Sequence, residues 1–283
     1  MASRYLKILS EQERPVWFLA SRLMMRSGLS RWFKIRQEGF VLGFFPTSLS
    51  ASLWIAPDQR HLDSAFFHSY LKPGDQFVDV GANIGSTALA AWVSVGASGS
   101  VQAIEPNPRI YGYLLKNIEL NKAKNVQTFN MAVGVEPSQI MFSDTGSDDQ
   151  NHILEQGKGI SVKLDTLDNI LKPDGNIDLL KIDVEGYEIF ALRGAQKTLE
   201  RTSCVYIESY EMNFQRYGYG TGAMLECLWD RGFSVFRQPN EGRLTPVGRD
   251  HISRVCENLI AVKSVDELVR RTGCTVAASP LSD

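Results

Sequence analysis

A run of chemically suggestive residues spans Phe77-Val78-Asp79-Val80-Gly81-Ala82-Asn83-Ile84-Gly85. It reads as an apolar strand ending in a glycine bend that opens a helix. Gly81 lets the backbone turn sharply and lets a ligand approach closely, and Gly85 permits tight passage into the helix. The first helical N–H groups then face whatever binds there. Asp79 interrupts the strand two residues before the bend. A carboxylate suits an anionic pyrophosphate badly and a cofactor carrying an ammonium group well; its bland alternative is a strand-end acid capping local N–H groups. The spacing Gly81-x-Asn83-x-Gly85 also lacks the third glycine of the dinucleotide fingerprint. Glu105 ends the next strand, where its carboxylate can accept from both hydroxyls of a ribose. Asn130 and Met131 end the third strand, at the level of an adenine ring, although Met131 reads equally as core. A second cluster, Lys181-Ile182-Asp183-Val184-Glu185-Gly186, closes a later strand. Side chains alternate along a strand, so Lys181, Asp183 and Glu185 share a side. Such a tip can orient an alcohol and take its proton.

These residues need a frame, and the chain alternates strands with helices to provide one. Strands are expected at Gln76 to Val80, Val101 to Glu105, Val126 to Met131, Leu179 to Asp183, Cys204 to Glu208, Ser234 to Phe236 and Asn258 to Val262. Helices fall at Ser86 to Ser94, Pro108 to Asn121, Tyr187 to Glu200 and near Ala223 to Arg231. Such alternation with short loops implies a parallel sheet covered on both faces. Residues 134–166 break the rhythm and read as an inserted hairpin or loop. Ahead of the body, Pro15 to Phe33 reads as an amphipathic helix with Val16, Leu19, Ala20, Leu23 and Met24 on one face. Gly39 to Ile55 reads as short strands. The expected units are an extension over 1–60, a binding domain over 61–265 and a tail over 266–283.

Composition narrows the functional classes. The 283 residues are 43% hydrophobic and 22% charged, with a formal net charge of -2, which argues against a dedicated nucleic-acid binder. Of 30 basic residues, eight fall in residues 1–38 beside three of the 32 acids, so a basic head precedes an acidic body. The four cysteines show no Cys-x-x-Cys spacing and suit reduced thiols in a cytoplasmic compartment. No apolar run approaches the roughly 20 residues that span a bilayer.

The motifs Val78-Asp79-Val80-Gly81-Ala82-Asn83-Ile84-Gly85, Ala103-Ile104-Glu105-Pro106-Asn107, Asn130-Met131-Ala132-Val133-Gly134 and Leu180-Lys181-Ile182-Asp183-Val184-Glu185-Gly186-Tyr187-Glu188 together resemble the FkbM methyltransferase family. The resemblance runs from about Gly39 to Val262. It implies an α/β class I methyltransferase fold, Rossmann-like, with a mostly parallel seven-stranded sheet whose last strand is antiparallel, helices on both faces, and here an N-terminal helical and β extension. It implies S-adenosylmethionine and transfer to oxygen on a sugar, glycan or natural product. By position, Asp79, Gly81, Asn83, Gly85, Glu105, Asn107, Asn130 and Met131 would hold the cofactor. In the family arrangement the fourth strand neighbours the first, so its tip would face the methyl group. Methyl transfer is an in-line displacement in which the protein aligns the acceptor and removes its proton. Asp183 is the first candidate base, Glu185 the second, Lys181 an orienting partner, and Glu208 completes the group.

Alternatives stand beside this reading. The strand-tip charges can be a structural ion-pair network, or Asp183, Glu185 and Glu208 can hold magnesium through hard oxygen ligands, which the spacing does not demand. His61, His68, His152 and His251 are isolated; His152 is a loop-base candidate. Tyr206, Tyr210, Tyr217 and Tyr219 are candidates to shape an acceptor pocket, with Tyr206 reading as core. A nicotinamide-dependent oxidoreductase is the rival enzyme, and a scaffold that has lost catalysis the non-enzymatic rival. No nucleic-acid partner is expected. Docking of the basic helix as an acceptor-site wall, self-association and a peripheral membrane contact all remain open for the head.

Overall fold

The computed structural model describes residues 14–57, 61–144, 151–154, 159–240 and 242–278. Helix α1 (Pro15–Ser27) begins with a proline whose missing N–H costs no intrahelical bond, and it stops at Gly28 in the left-handed region, φ 72°. A 3-10 turn (Leu29–Trp32) leads to a hairpin of β1 (Lys34–Gln37) and β2 (Phe40–Gly43). The segment expected as further strands is instead α2 (Ser48–Ile55), capped by the Thr47 side chain accepting from Ser50 N–H at 3.0 Å. That cap outweighs the turn signal of the serines. Helix α3 (His61–Tyr70) follows.

The body starts with β3 (Gln76–Val80), α4 (Ser86–Val95), β4 (Ser100–Ile104), α5 (Pro108–Asn121) and β5 (Val126–Phe129). It resumes with β10 (Ile177–Ile182), β11 (Thr202–Ser209), β12 (Ser234–Asn240), β13 (Arg243–Pro246), β14 (Glu257–Val262) and β15 (Thr275–Val276). These strands form one sheet in the order β15-β13-β12-β14-β11-β10-β3-β4-β5. From β5 to β11 the pairing is parallel, whereas β14 runs antiparallel to both neighbours. The expected seven strands are all present, and β13 and β15 extend the sheet to nine. Chain connections leave β3 towards β4 on one side and return to β10 on the other. The crevice beyond the carboxyl ends of β3 and β10 is therefore the switch point where ligands bind in such sheets.

One face of the sheet buries Val78, Val80, Leu180, Ile182, Val205 and Ile207, and the other Phe77, Ala103, Leu179, Cys204 and Tyr206. Strands apolar on both faces are what a parallel sheet covered by helices requires. A third cluster joins Ile35, Leu42, Phe44 and Leu53 of the extension to Ile84, Leu89 and Ile110 of the body. The extension is thus packed on the body by shared core.

Residues 134–166 hold the expected hairpin, an antiparallel pairing of residues 138–142 with 160–164. They contribute to a second sheet in the order β6 (Ala132–Val133), β9 (Ile160–Asp165), β7 (Ser138–Phe142) and β8 (Ile153–Leu154); residues 145–150 and 155–158 lie outside the described set. Three further expectations need correction. The helix expected over Tyr187 to Glu200 is two, α7 (Glu188–Arg193) and α8 (Gln196–Glu200), because the chain passes against Gly134 at Gly194. A Cβ at Gly194 would lie 1.9 Å from the Gly134 carbonyl oxygen. The expected tail carries α11 (Val265–Thr272) and β15, with Leu268 fully buried. Finally, α1 does not bury the face expected of it: Val16, Leu19 and Leu23 are exposed, while Met24, Met25 and an edge contact of Trp17 on Trp54 make the docking.

Candidate active site

A cavity opens at the switch point. Its walls include Gly81, Asn83, Glu105, Met131, Asp183 and Glu185, with Leu49 and Leu53 of α2, Ser86 and Thr87 of α4, Asn151, Tyr187 and Glu208. Two expected groups, the glycine bend and the strand-tip acids, thus come together although about 100 residues separate them in sequence.

The bend is built by steric necessity. Gly81 sits at φ 84°, and a Cβ there would lie 1.8 Å from the carbonyl oxygen of Asp183. The close approach that demands glycine is therefore to the neighbouring strand end and not only to a ligand. Gly85, at φ 88°, would press a Cβ to 2.5 Å from Leu114, so its role is helix packing, and it does not line the cavity. Asn83 adopts φ 50°, a region its short polar side chain tolerates. Glu105 holds that turn: its carboxylate accepts from Asn83 N–H at 2.9 Å and from Asn107 N–H at 2.8 Å. These two N–H groups fix the Glu105 carboxylate at the cavity wall.

Two expected cofactor residues have structural roles. Asn107 caps α5, accepting from the N–H groups of Arg109 and Ile110, and donates to Asp144 at 3.1 Å. Asn130 donates to the carbonyls of Glu105 and Pro106 at 2.8 and 3.0 Å, which pins the loop that carries Glu105. Neither lines the cavity.

Asp79 sits on β3 inside the sheet. It is fully buried and absent from the cavity wall. The register of β3 and β10 pairs Asp79 with Lys181, which places both side chains on one face. The Lys181 ammonium lies 3.3 Å from Asp79 and 3.1 Å from Asp183. Lys181 is almost as buried as Asp79, whereas the Asp183 side chain keeps 20% of its surface exposed. The sealed Asp79 carboxylate thus fixes the lysine, and the lysine fixes the exposed acid. Residues at such a pair are costly to break because a lone buried charge would remain.

Asp183, Glu185 and Glu208 bring carboxylate oxygens within 4.8 Å of one another. Glu185 reaches this position by a positive φ of 55° that interrupts strand alternation, and Asn213 donates to it at 3.2 Å. Burial first, and then the charges of Asp183, Glu185 and Glu188, raise the Glu208 pKa well above the usual carboxylate range. The Cys256 thiol donates to Glu208 at 3.2 Å. The ammonium of Lys181 offsets part of the crowded negative charge, and the raised Glu208 pKa favours its neutral form. The hard oxygens also have the composition of a magnesium site, but Lys181 already provides Asp183 with a counter-charge.

Behind the cluster, Glu188 is fully buried and accepts from the N–H groups of Val184 and Gly186, and burial pushes its pKa up to about 7. Tyr219 donates to the Gly186 carbonyl at 2.7 Å and Tyr217 to that of Ile153 at 2.9 Å. Of the tyrosines, Tyr187 lines the cavity, while Tyr206, Tyr210, Tyr217 and Tyr219 do not; Tyr206 is core, as expected. His152 is not on the wall, His68 meets Ser94 at 2.9 Å, and His251 meets Glu257 at 2.8 Å. The His61 side chain lies outside the described set. Sequence reasoning missed Leu49, Leu53, Asn151 and Tyr187, whose residue types and spacing carry no chemical signal.

Comparison with known proteins agrees with this architecture. A family model described as the methyltransferase FkbM domain matches residues 79–235. Methyltransferase sdnD of Sordaria araneosa is 30% identical over 60% of this chain and 78% of its own length. Methyltransferase 1 of Beauveria bassiana (strain ARSEF 2860) is 28% identical over 43% of this chain. The match spans 59% of that relative's length. The crystal structure of an FkbM methyltransferase from Methylobacillus flagellatus superposes with a TM-score of 0.43 at 16% identity, over 75% of this chain and 54% of that one. Spanning the bend, the sheet switch point and the strand-tip acids, the family match settles the assignment: the chain belongs to the FkbM methyltransferase family.

Proposed function

We propose that the protein is an S-adenosylmethionine-dependent O-methyltransferase acting on a hydroxyl of a sugar, glycan or other natural product. The observation that carries this reading is the placement of Asp183, held by Lys181, on the same cavity wall as Gly81, Asn83, Glu105 and Met131. The first set suits an acceptor hydroxyl and the second a nucleoside. S-adenosylmethionine supplies an activated methyl on a sulfonium. Glu105 would hold the ribose, Met131 would lie against the base, and the N–H groups around Asn83 would meet the rest of the cofactor. Asp79 is too deeply sealed for the ammonium contact that its position suggested.

The chain's own contribution is alignment and proton removal. Asp183 would accept the proton of the acceptor hydroxyl, the group that S-adenosylmethionine would methylate when bound. Lys181 keeps Asp183 oriented by a 3.1 Å contact. Burial, and then the neighbouring acids, favour the neutral form of Glu208, which would let it donate to the acceptor rather than compete for its proton. Magnesium is not needed to balance charge in this arrangement, and a chelator should leave turnover unchanged.

Comparative metabolite and glycan mass spectrometry of wild-type and deletion strains tests the reading. A product lighter by one methylene in the deletion strain, restored by the wild-type chain and not by Asp183→Asn, is expected. No mass difference across small molecules and glycans would refute the proposed acceptor class.

A further inference from the structure

Between Arg14 and Gln37 the sequence holds six cations, Arg14, Arg22, Arg26, Arg31, Lys34 and Arg36, and no acid. The remainder of the chain is net acidic, so this segment stands out electrostatically. The same segment leaves several of its large apolar side chains in solvent. Val16 is 75% exposed, Leu23 68% and Trp32 73%, with Leu19, Leu29 and Phe33 also exposed. On α1 the positions Val16, Leu19 and Leu23 fall at helical spacing and make one stripe. Folding did not discard this face for want of apolar partners. The opposite side of α1 is docked by Met24, Met25 and Trp17, so the helix is already anchored and the stripe is left over. Isolated exposed apolar residues need no explanation, but a group of this kind inside a basic segment does.

We infer that this face docks the protein onto an anionic lipid surface. The apolar stripe and Trp32 would enter the headgroup boundary while the arginines and Lys34 meet lipid phosphates. An apolar helix stripe flanked by Arg and Lys, with an aromatic ring nearby, is the composition that binds bilayer interfaces. Arg31 already lies over the Trp32 ring, 5.3 Å from its centroid, which keeps cation and ring on one side. A second copy of the chain fits less well, because a symmetric contact would set six cations against six. No helix among the described residues is long and apolar enough to cross a membrane, so the contact is peripheral.

The position of the face has a consequence for the enzyme. Helix α1 packs on α2 through Trp17 and Trp54, and α2 lends Leu49 and Leu53 to the cavity. One helix therefore separates the lipid-facing stripe from the cavity.

The full-length protein should float with vesicles of phosphatidylcholine containing about a third phosphatidylserine, and fail to float with phosphatidylcholine alone. Binding should fall as salt rises through a few tenths molar, because the arginines act through a screened potential. The paired reversal Arg22→Glu, Arg26→Glu should weaken vesicle binding at least about tenfold. Leu23→Ser with Trp32→Ala should do the same by removing the inserted groups. All four residues are exposed, so both variants should keep the wild-type melting temperature and S-adenosylhomocysteine affinity. Failure of the wild-type chain to float on anionic vesicles would overturn the inference. So would equal flotation by both variants, or a wild-type dimer that the variants convert to monomer without any vesicle binding, which would mark the face as a contact between copies.

Discussion

Lys181 shares its ammonium between an acid sealed in the sheet and an acid that faces the cavity, and this one side chain links the two. Asp183→Asn keeps the shape and removes the proposed base. Turnover should fall on the order of 10²-fold or more, with S-adenosylhomocysteine affinity within a few-fold of wild type. Single-turnover kinetics beside calorimetry separates the two, and normal turnover would make Asp183 purely structural. Glu188 gives a stability prediction with a definite sign. Its folded pKa of about 7 lies above the ordinary value of 4.5, because burial penalises the charged form. The native state therefore holds the proton more tightly, and this contribution is full at low pH and is lost as pH rises from about 4.5 through 7. The loss is on the order of 3 kcal/mol at most. Glu188→Gln, which cannot ionise, should flatten that decline: its denaturation midpoint should gain on wild type between pH 5 and pH 8. Parallel midpoints at the two pH values would show that Glu188 is not the titrating group. At this scale the sequence made the acids after β10 legible by their types and by the place where the strand ends; alternation does not carry Glu185 there, because its φ of 55° breaks the extended backbone. The sequence did not make the partner of Asp79 legible, because that depends on register between strands about 100 residues apart. Asn107 and Asn130 misled for a similar reason: a polar residue at a strand end serves the backbone as readily as a ligand.

The elements position these residues through contacts that tolerate little. Gly81 is the tightest, since even an alanine Cβ would meet the Asp183 carbonyl oxygen. Gly81→Ala should push the ends of β3 and β10 apart, cost roughly 1–3 kcal/mol or more, and displace Asp183 as well as the cofactor turn. Thermal melting and calorimetry on the same variant check this, and unchanged stability and affinity would contradict the close approach. The parallel body was legible because β3, β4, β10 and β11 are short apolar runs bounded by turns, and because α5 starts at an Asn-Pro cap. Helix α2 was not, since its mixed serine and leucine pattern carries no one-sided face. The inserted hairpin of β7 and β9 was legible as a break in the strand-helix rhythm, whereas the two-residue strands β6 and β8 that complete the second sheet leave no periodic trace.

At the scale of the molecule, the extension, body and C-terminal segment are one packed unit. Arg271 on α11 meets Asp75, Asp178 and Glu267, tying the C-terminal helix to the start of the sheet. Leu268 is fully buried beside them, so Leu268→Ala should cost about 2–5 kcal/mol, read as a lower denaturation midpoint of the whole chain. A change below about half a kcal/mol would leave the segment the simple tail expected over 266–283. The cavity depends on this unit, because its walls come from α2, the central sheet and the inserted sheet together. The reading of that cavity as a nucleoside site for methyl transfer is tested most directly by calorimetric titration of the full-length wild-type chain and Glu105→Ala with S-adenosylhomocysteine and with NAD. The expected result is one equivalent of S-adenosylhomocysteine and no NAD bound by wild type, with affinity reduced about tenfold or more in the variant through loss of hydrogen bonds to a carboxylate. Binding of NAD in place of S-adenosylhomocysteine, or equal affinity in the two proteins, would contradict it.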